Sequence, residues 1–167
     1  MCGSIQRVAV SPDRNEDLRS VTVRAARPGD YQTIVGVVDD WWGRPIASSL
    51  PRLFLDHFWN TSLVVEDERG LAGFLVGFIS PSEPQVAYVH FVGVRPDLRK
   101  SGLARRLYDE FAHRAQAEGC SELRAITAPV NGGSIRFHER LGFVASEPLA
   151  DYNGPGNPMV TFRRQLQ

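Results

Sequence analysis

The sequence is poor in cysteine, in net charge and in long apolar runs, and each shortage excludes a class of protein. The 167 residues include two cysteines, Cys2 and Cys120, so the disulfide framework of a small secreted domain is not expected. Lys and Arg number 19, as do Asp and Glu, and without a basic excess we predict neither nucleic acid nor an anionic membrane as a partner. No apolar run could cross a bilayer and the first residues lack a signal-peptide pattern, so we expect a cytoplasmic protein.

Several common binding motifs are also missing. The sequence contains no Gly-Lys-Ser/Thr and no Gly-x-Gly-x-x-Gly, which excludes a P-loop and a dinucleotide fingerprint. Its cysteines, histidines and carboxylates do not follow metal-ligand spacing, so no metal site is predicted.

The composition that remains is that of a globular domain, with 43% hydrophobic and 23% charged residues. Residues 1–20 are polar and turn-rich, and we expect a flexible tail there. No internal repeat or linker divides residues 21–167, which we therefore treat as one domain.

Hydrophobic periodicity predicts strands and helices in mixed order along that domain. The fold class is therefore α/β (α+β), with one mixed sheet and about four helices. Strands are predicted near 21–24, 62–66, 71–79, 85–94, 122–127, 143–145 and 159–166. Helices are predicted near 30–40, after Pro51, and at 102–118 and 131–141.

The most informative segment lies between the fourth predicted strand and the long helix. It contains the adjacent basic residues Arg99 and Lys100, followed by Ser101, Gly102, Leu103 and Ala104. Amides at a helix start lack partners and the helix dipole adds positive potential there, so a phosphate group could bind. A plain strand-to-helix turn is the alternative.

This segment resembles the Arg/Gln-x-x-Gly-x-Gly/Ala signature of the GNAT acetyltransferase superfamily. A second block, residues 131–143, resembles the later motif of that family, in which Asn-x-x-Ala/Ser precedes an aromatic pair and Gly-Phe. The resemblance covers residues 21–167 and implies a GNAT-like sheet splayed at its centre into a V, with acetyl-CoA (coenzyme A) in the cleft.

The resemblance also implies roles for particular residues in binding acetyl-CoA. Backbone groups of Val92 and Val94 would bind the pantetheine arm, and residues Arg99 to Ala104 would hold the pyrophosphate. Asn131 would bond the pantetheine arm or the acetyl end, while Ser134 and Phe137 would line its path. An N-cap is an equally compatible role for Asn131.

The proposed chemistry is direct attack of an amine on the thioester, which needs a general base. Tyr88 and His90 are two residues apart and are expected to share one face of the central strand with Val92 and Val94. Related enzymes often have a carboxylate where this chain has Tyr88, so His90, whose ordinary pKa is about 6.5, is the candidate base. A histidine packed in the sheet is the alternative.

A second departure concerns the departing thiolate. His138 occupies the position where the family usually has a tyrosine that protonates the sulfur. His138 or Tyr152 is the candidate for this role, although a thiol pKa of about 8.5 already makes the thiolate a tolerable leaving group. His138 as a polar residue of a short helix is the alternative.

The acceptor side is less specific. The first helix and the turn after it contain Asp40, Trp41, Trp42 and Arg44, which could bind a cationic amine through charge and cation–π contact. At least one of the two tryptophans is expected to fill the core. A small-molecule amine is the predicted substrate, with a protein acetyltransferase or a non-catalytic acyl-CoA-binding module as alternatives. A homodimer is possible.

Overall fold

A seven-stranded mixed sheet organises the protein. The computed structural model describes residues 21–167, so the predicted tail and Cys2 lie outside the described residues. The sheet has the order β1-β2-β3-β4-β5-β7-β6, in which β4 and β5 are parallel and the other neighbouring strands are antiparallel. Its strands are β1 Thr22–Ala25, β2 Leu63–Asp67, β3 Gly70–Ile79, β4 Val86–Val94, β5 Glu122–Thr127, β6 Val144–Ala145 and β7 Val160–Gln165.

Four α-helices lie within residues 21–167, the number that the sequence predicted, and they pack on the two faces of this sheet. They are α1 Asp30–Trp42, α2 Leu53–His57, α3 Leu103–Ala117 and α4 Gly132–Arg140. Helices α1 and α2 cover one core cluster built on Phe74 and Val76, whereas α3 and α4 cover a larger cluster around Leu75, Leu107 and Leu123. Among residues 21–167, no helix is long and apolar enough to span a membrane.

The sheet opens between β4 and β5. Residues 86–88 of β4 pair with residues 122–124 of β5, and past Tyr88 the described residues show no further pairing between the two strands. Since β5 continues to pair with β7 up to Thr127, the strands diverge. This is the V-shaped splay that the resemblance implied, and it leaves one edge of β4 open.

Helix α3 packs closely on β3 because position 77 has no side chain. A Cβ added at Gly77 would lie 2.6 Å from the ring of Phe111 and 2.9 Å from the Tyr88 carbonyl oxygen. Phe111 belongs to the middle of α3, so the helix lies directly against β3 at this position.

We expect Gly77→Ala to lower the free energy of unfolding by about 1–3 kcal/mol, because the added methyl group overpacks the interface between α3 and the sheet. Gly36→Ala is the matched control, since Gly36 lies in α1 and a Cβ added there would have nothing within 4 Å. Alanine is the better helix former, so that variant should gain up to about 1 kcal/mol. Urea unfolding measures both, and a Gly77→Ala midpoint at or above wild type would contradict the packing account.

Candidate active site

The turn between β4 and α3 directs backbone amides outward. Lys100 and Gly102 both have left-handed backbone conformations, with φ of 65° and 97°, and Gly102 is the N-cap of α3. The hydroxyl of Ser101 accepts a hydrogen bond from the Leu103 amide at 3.3 Å. The next amides of the first turn have no preceding helical carbonyl to bind, so they are available to an anion.

Basic side chains surround this turn. A cavity of about 350 Å³ beside it is lined by Arg99, Lys100, Arg105 and Arg140, and none of its lining residues is acidic. The guanidinium of Arg99 donates to the carbonyl oxygen of Trp41, which links the turn to the end of α1. Arg105 and Arg140 were not among the residues predicted from the sequence, although each lies in or beside one of the two motifs.

A second cavity continues the first toward the open edge of β4. It measures about 540 Å³ and shares Val94, Arg99, Ala104 and Phe137 with the first cavity, so we treat the two as one cleft. Ten of the eleven predicted cofactor-binding residues line it, and Ser101 alone among the eleven does not. Its far end is lined by Trp42, Val92, Gly93, Asn131, Gly133, Ser134 and His138.

The backbone of β4 presents hydrogen-bonding groups to this cleft. The Arg95 amide donates to the Ala72 carbonyl of the neighbouring strand at 2.9 Å. Because amides alternate in direction along a strand, those of Val92 and Val94 point to the opposite edge, which is unpaired. An extended ligand lying along this edge could bind both.

Asn131 is the N-cap of α4. Its side-chain oxygen accepts from the Ser134 amide at 3.2 Å, and its side-chain nitrogen donates to Thr127 Oγ1 at 3.1 Å. The capping role that the sequence suggested is therefore confirmed, and the same residue lines the cleft.

A bulge in β4 corrects the expected arrangement of the candidate base. Val76 pairs with Phe91 while the next residue of β3, Gly77, pairs with Val89, so β4 has one extra residue at His90. As in other bulges, the alternation of side chains is broken there. His90 and Phe91 lie on the face covered by α1 and α2, whereas Val92 packs on the opposite core. The expectation that Tyr88, His90, Val92 and Val94 share one face was wrong.

His90 is held in one orientation by two contacts. Its Nε2 lies 2.9 Å from the Ser49 carbonyl oxygen, and its ring stacks on Phe54 at 3.8 Å between centroids. Since a carbonyl can only accept, Nε2 carries the proton and Nδ1 is a free acceptor. Burial lowers the pKa of His90 below its ordinary value, while the bond to Ser49 acts in the opposite direction.

The free nitrogen of His90 reaches the surface. Within residues 21–167, every buried side-chain nitrogen or oxygen of a residue that is not exposed has a hydrogen-bond partner. Nδ1 of His90 has none, so it is accessible to solvent. A neutral imidazole with one nitrogen fixed and the other accessible has the properties of a general base.

His138 occupies a different environment from the one expected of a proton donor. Its side chain is 5% exposed and its ring stacks on Phe162 at 4.1 Å. Nδ1 lies 2.8 Å from the Ser134 carbonyl oxygen, and Nε2 lies 2.8 Å from Tyr108 Oη. Both ring nitrogens are therefore engaged within the protein, and burial lowers the pKa of His138. These contacts speak against the prediction that His138 protonates the departing sulfur, because both of its ring nitrogens already have partners within the protein.

Comparison with known proteins gives the family. The model of the acetyltransferase (GNAT) family matches residues 32–143, which include the turn between β4 and α3, the open strand edge and α4. The chain belongs to the GNAT family.

Two curated GNAT relatives and one solved structure illustrate the likeness. The L-2,4-diaminobutyric acid acetyltransferase of Streptomyces coelicolor is 35% identical over 122 residues, which are 66% of this chain and 72% of that protein. The enzyme of the same name from Vibrio parahaemolyticus is 35% identical over 106 residues, 64% of this chain and 54% of that protein. The chain thus spans about half the length of the Vibrio relative.

The solved structure is the diaminobutyrate acetyltransferase of Paenibacillus lautus in complex with L-2,4-diaminobutyric acid and coenzyme A. It superposes with a TM-score of 0.66 at 20% identity, over 85% of this chain and 93% of that one. At that identity the likeness shows the fold.

Aromatic rings pack on the face of the sheet where Tyr88 and His90 lie. Tyr88 stacks on Phe78 at 5.4 Å, and Phe78 lies 6.4 Å from Phe54, the ring that covers His90. Burial raises the pKa of Tyr88. Tyr152 is 47% exposed on the loop before β7.

The four predicted acceptor residues are divided by the structure. Trp41 is buried and stacks on Phe74, so its predicted contact with the acceptor was wrong and it is the tryptophan that fills the core. Trp42 lines the cleft and packs on Phe91 at 5.2 Å. Asp40 and Arg44 are exposed near the end of α1 and do not line the cleft described above.

We expect the protein to lose stability as the pH falls below about 6.5, the ordinary pKa of histidine. In that range the unfolded chain takes up a proton that the buried His138 does not, and the free energy of unfolding then decreases by at most about 1.4 kcal/mol per pH unit for this residue. His138→Phe should flatten the slope, whereas His113→Gln, on the exposed face of α3, should retain it. Urea unfolding at several pH values gives the slopes, and an unchanged slope in His138→Phe would contradict the assignment.

Proposed function

We propose that the protein is an N-acetyltransferase that moves the acetyl group of acetyl-coenzyme A to a primary amine of a small molecule. The observation that carries this proposal is the continuous cleft, which joins the basic turn at α3 to the open edge of β4 and ends at Val92, two residues after His90. The basic turn suits the phosphates of the cofactor, the open edge of β4 suits its pantetheine arm, and His90 suits the proton transfer. The cytoplasmic location and the homodimer stay predictions.

The cleft fits the cofactor in charge and in shape. The amides of the first turn of α3, the dipole of that helix and four basic side chains suit a pyrophosphate. The unpaired edge of β4 suits the pantetheine arm, because its amide groups match the backbone donors and acceptors at Val92 and Val94. When bound, acetyl-coenzyme A supplies an activated thioester.

The direction of the cofactor follows from these two ends. With the phosphates at Gly102 and the arm along Val94 and Val92, the thioester would lie near the bulge at His90. The amide of Val92 points to the open edge there and would stabilise negative charge that develops on the carbonyl oxygen of the thioester.

Because of the bulge, the proposed base and the acceptor lie on the face of the sheet opposite the cofactor cleft. His90 lies on the face covered by α1 and α2, while the cofactor cleft is bordered by α3 and α4. The amine therefore approaches from the aromatic face, and accessible Nδ1 of His90 takes the proton that the nitrogen loses on attack. Because Nε2 already donates to Ser49, the imidazole needs no rotation to act.

The relatives favour a small molecule as acceptor. Two of them are named for L-2,4-diaminobutyric acid, a small amino acid with two amines. The half-buried rings of Phe54, Phe78 and Tyr88 add an apolar wall to the acceptor side. The acceptor could contact this wall with its carbon chain or, while protonated, through cation–π attraction.

A thiol-release assay tests the proposal. Purified protein with acetyl-coenzyme A is given a panel of small amines, including L-2,4-diaminobutyric acid, polyamines and aminoglycosides, and a matched panel of lysine and N-terminal peptides. We expect turnover with a small amine. Turnover with peptides alone would indicate a protein acetyltransferase, and coenzyme A binding without turnover would indicate a binding module.

Gly102→Val tests the phosphate site. The φ of 97° disfavours any side chain, and the added group would enter the turn, so coenzyme A affinity should fall at least about tenfold, or about 1.4 kcal/mol. Gly119→Val is the matched control, since Gly119 follows the other end of α3 with a similar φ of 89°. It should lose comparable stability and keep its affinity. Calorimetry measures the affinity of both variants for coenzyme A, and equal affinities would contradict the proposed phosphate site.

His90→Gln tests the base. Glutamine can still donate to the Ser49 carbonyl but cannot accept a proton at neutral pH, so kcat/KM should fall roughly 100-fold or more. In wild type, activity should decline as the pH falls through the pKa of His90, which burial places below its ordinary value, and the variant should lack this decline. His113→Gln is the control. A wild-type pH profile in His90→Gln would remove His90 as the base.

A further inference from the structure

Three residues form a hydrogen-bonded chain from the core to the cleft. Tyr108 of α3 is buried, and its Oη lies 2.8 Å from His138 Nε2. His138 Nδ1 lies 2.8 Å from the Ser134 carbonyl oxygen and 3.3 Å from Ser134 Oγ. Ser134 lies one helical turn before His138, and both line the cleft.

The carbonyl of Ser134 fixes the direction of every proton in this chain. A carbonyl oxygen can only accept, so His138 Nδ1 carries the proton and Nε2 accepts from the Tyr108 hydroxyl. Oγ of Ser134, close to the same protonated nitrogen, can only accept from it. The proton of the Ser134 hydroxyl therefore points away from His138, and each hydroxyl or ring N–H in the chain donates toward the cleft.

The thioester sulfur would lie near this hydroxyl. The proposed path of the cofactor runs from Gly102 along Val94 to Val92, and Val92, Asn131 and Ser134 line the same end of the cleft. Ser134 is half-buried there, and its hydroxyl proton has no acceptor among residues 21–167. A developing thiolate at this position would provide one.

We propose that the Ser134 hydroxyl donates a hydrogen bond to the sulfur of coenzyme A as the thioester breaks, and that His138 and Tyr108 are positioning residues that hold it in the donating orientation. The proposal rests on the acetyltransferase function proposed above. In this account Ser134 takes the place of the acid that His138 does not supply.

The step balances without a proton from this chain. The amine nitrogen forms a bond to the carbonyl carbon, the carbon–sulfur bond breaks and its electron pair stays on sulfur. The amine proton goes to His90 and then to solvent. Ser134 keeps its proton. If Ser134 gave that proton to the sulfur, a new one would have to come through His138 from Tyr108. Tyr108 would then be ionised in the core, and burial raises the pKa of Tyr108. The thiolate takes its proton from water after it leaves.

The test measures the pKa of the thiol of bound coenzyme A, which is read from the ultraviolet absorbance of the thiolate and needs no turnover. In wild type this pKa should lie below the ordinary value of about 8.5. Ser134→Ala should raise it by about one to two pH units, the change expected when a hydrogen bond to a charged group is lost. Tyr108→Phe should raise it less, because the hydroxyl remains but loses its fixed orientation.

Two further variants complete the design. Ser134→Thr keeps the hydroxyl and should retain the wild-type thiol pKa, and Ser121→Ala removes an exposed serine hydroxyl outside the cleft and should do the same. In the acetyl-transfer assay, Ser134→Ala should lower kcat about 10- to 100-fold, while its affinity for coenzyme A changes little.

The outcomes separate the two proposals. If Ser134→Ala binds coenzyme A and the thiol pKa equals that of wild type, the role of Ser134 is wrong and the acetyltransferase function stands. If wild-type protein binds no coenzyme A, the proposed function is overturned and this inference with it.

Discussion

The loss of pairing between β4 and β5 is the constraint on which the rest of the site depends. A parallel pair that continued to the ends of both strands would satisfy the backbone of β4 and leave nothing for a ligand. Here the pairing stops after three residue pairs, and the amides of Val92 and Val94 face open space. Unpaired backbone groups of this kind need a partner, and in this fold the amide groups of a pantetheine arm would supply one.

The bulge at His90 makes the open edge useful for chemistry. His90 lies on the face of α1 and α2, and the extra residue in β4 turns Val92 and Val94 to the face of α3 and α4. Cofactor and acceptor can therefore approach the same edge from opposite sides of the sheet. In a regular strand His90 and Val92 would share one face, and the proposed base would not lie across the sheet from the strand residues that line the cofactor cleft.

Much of this arrangement could be predicted from the sequence, because it is specified by local patterns. The turn at Gly102, the capping role of Asn131 and the α/β order of elements all follow from short motifs and periodicity. The bulge could not be predicted, because Tyr88 and His90 alternate as in a regular strand. The role of His138 depends on Phe162 and Tyr108, which are distant in sequence, and the carbonyl of Ser49 gives no sequence signal at all.

A crystal structure of the protein with coenzyme A tests the central claim most directly. The account predicts pyrophosphate oxygens within hydrogen-bonding distance of the backbone amides at the start of α3, and a pantetheine arm paired with the edge of β4 between Val92 and Val94. A cofactor bound elsewhere, with the gap between β4 and β5 empty, would contradict it.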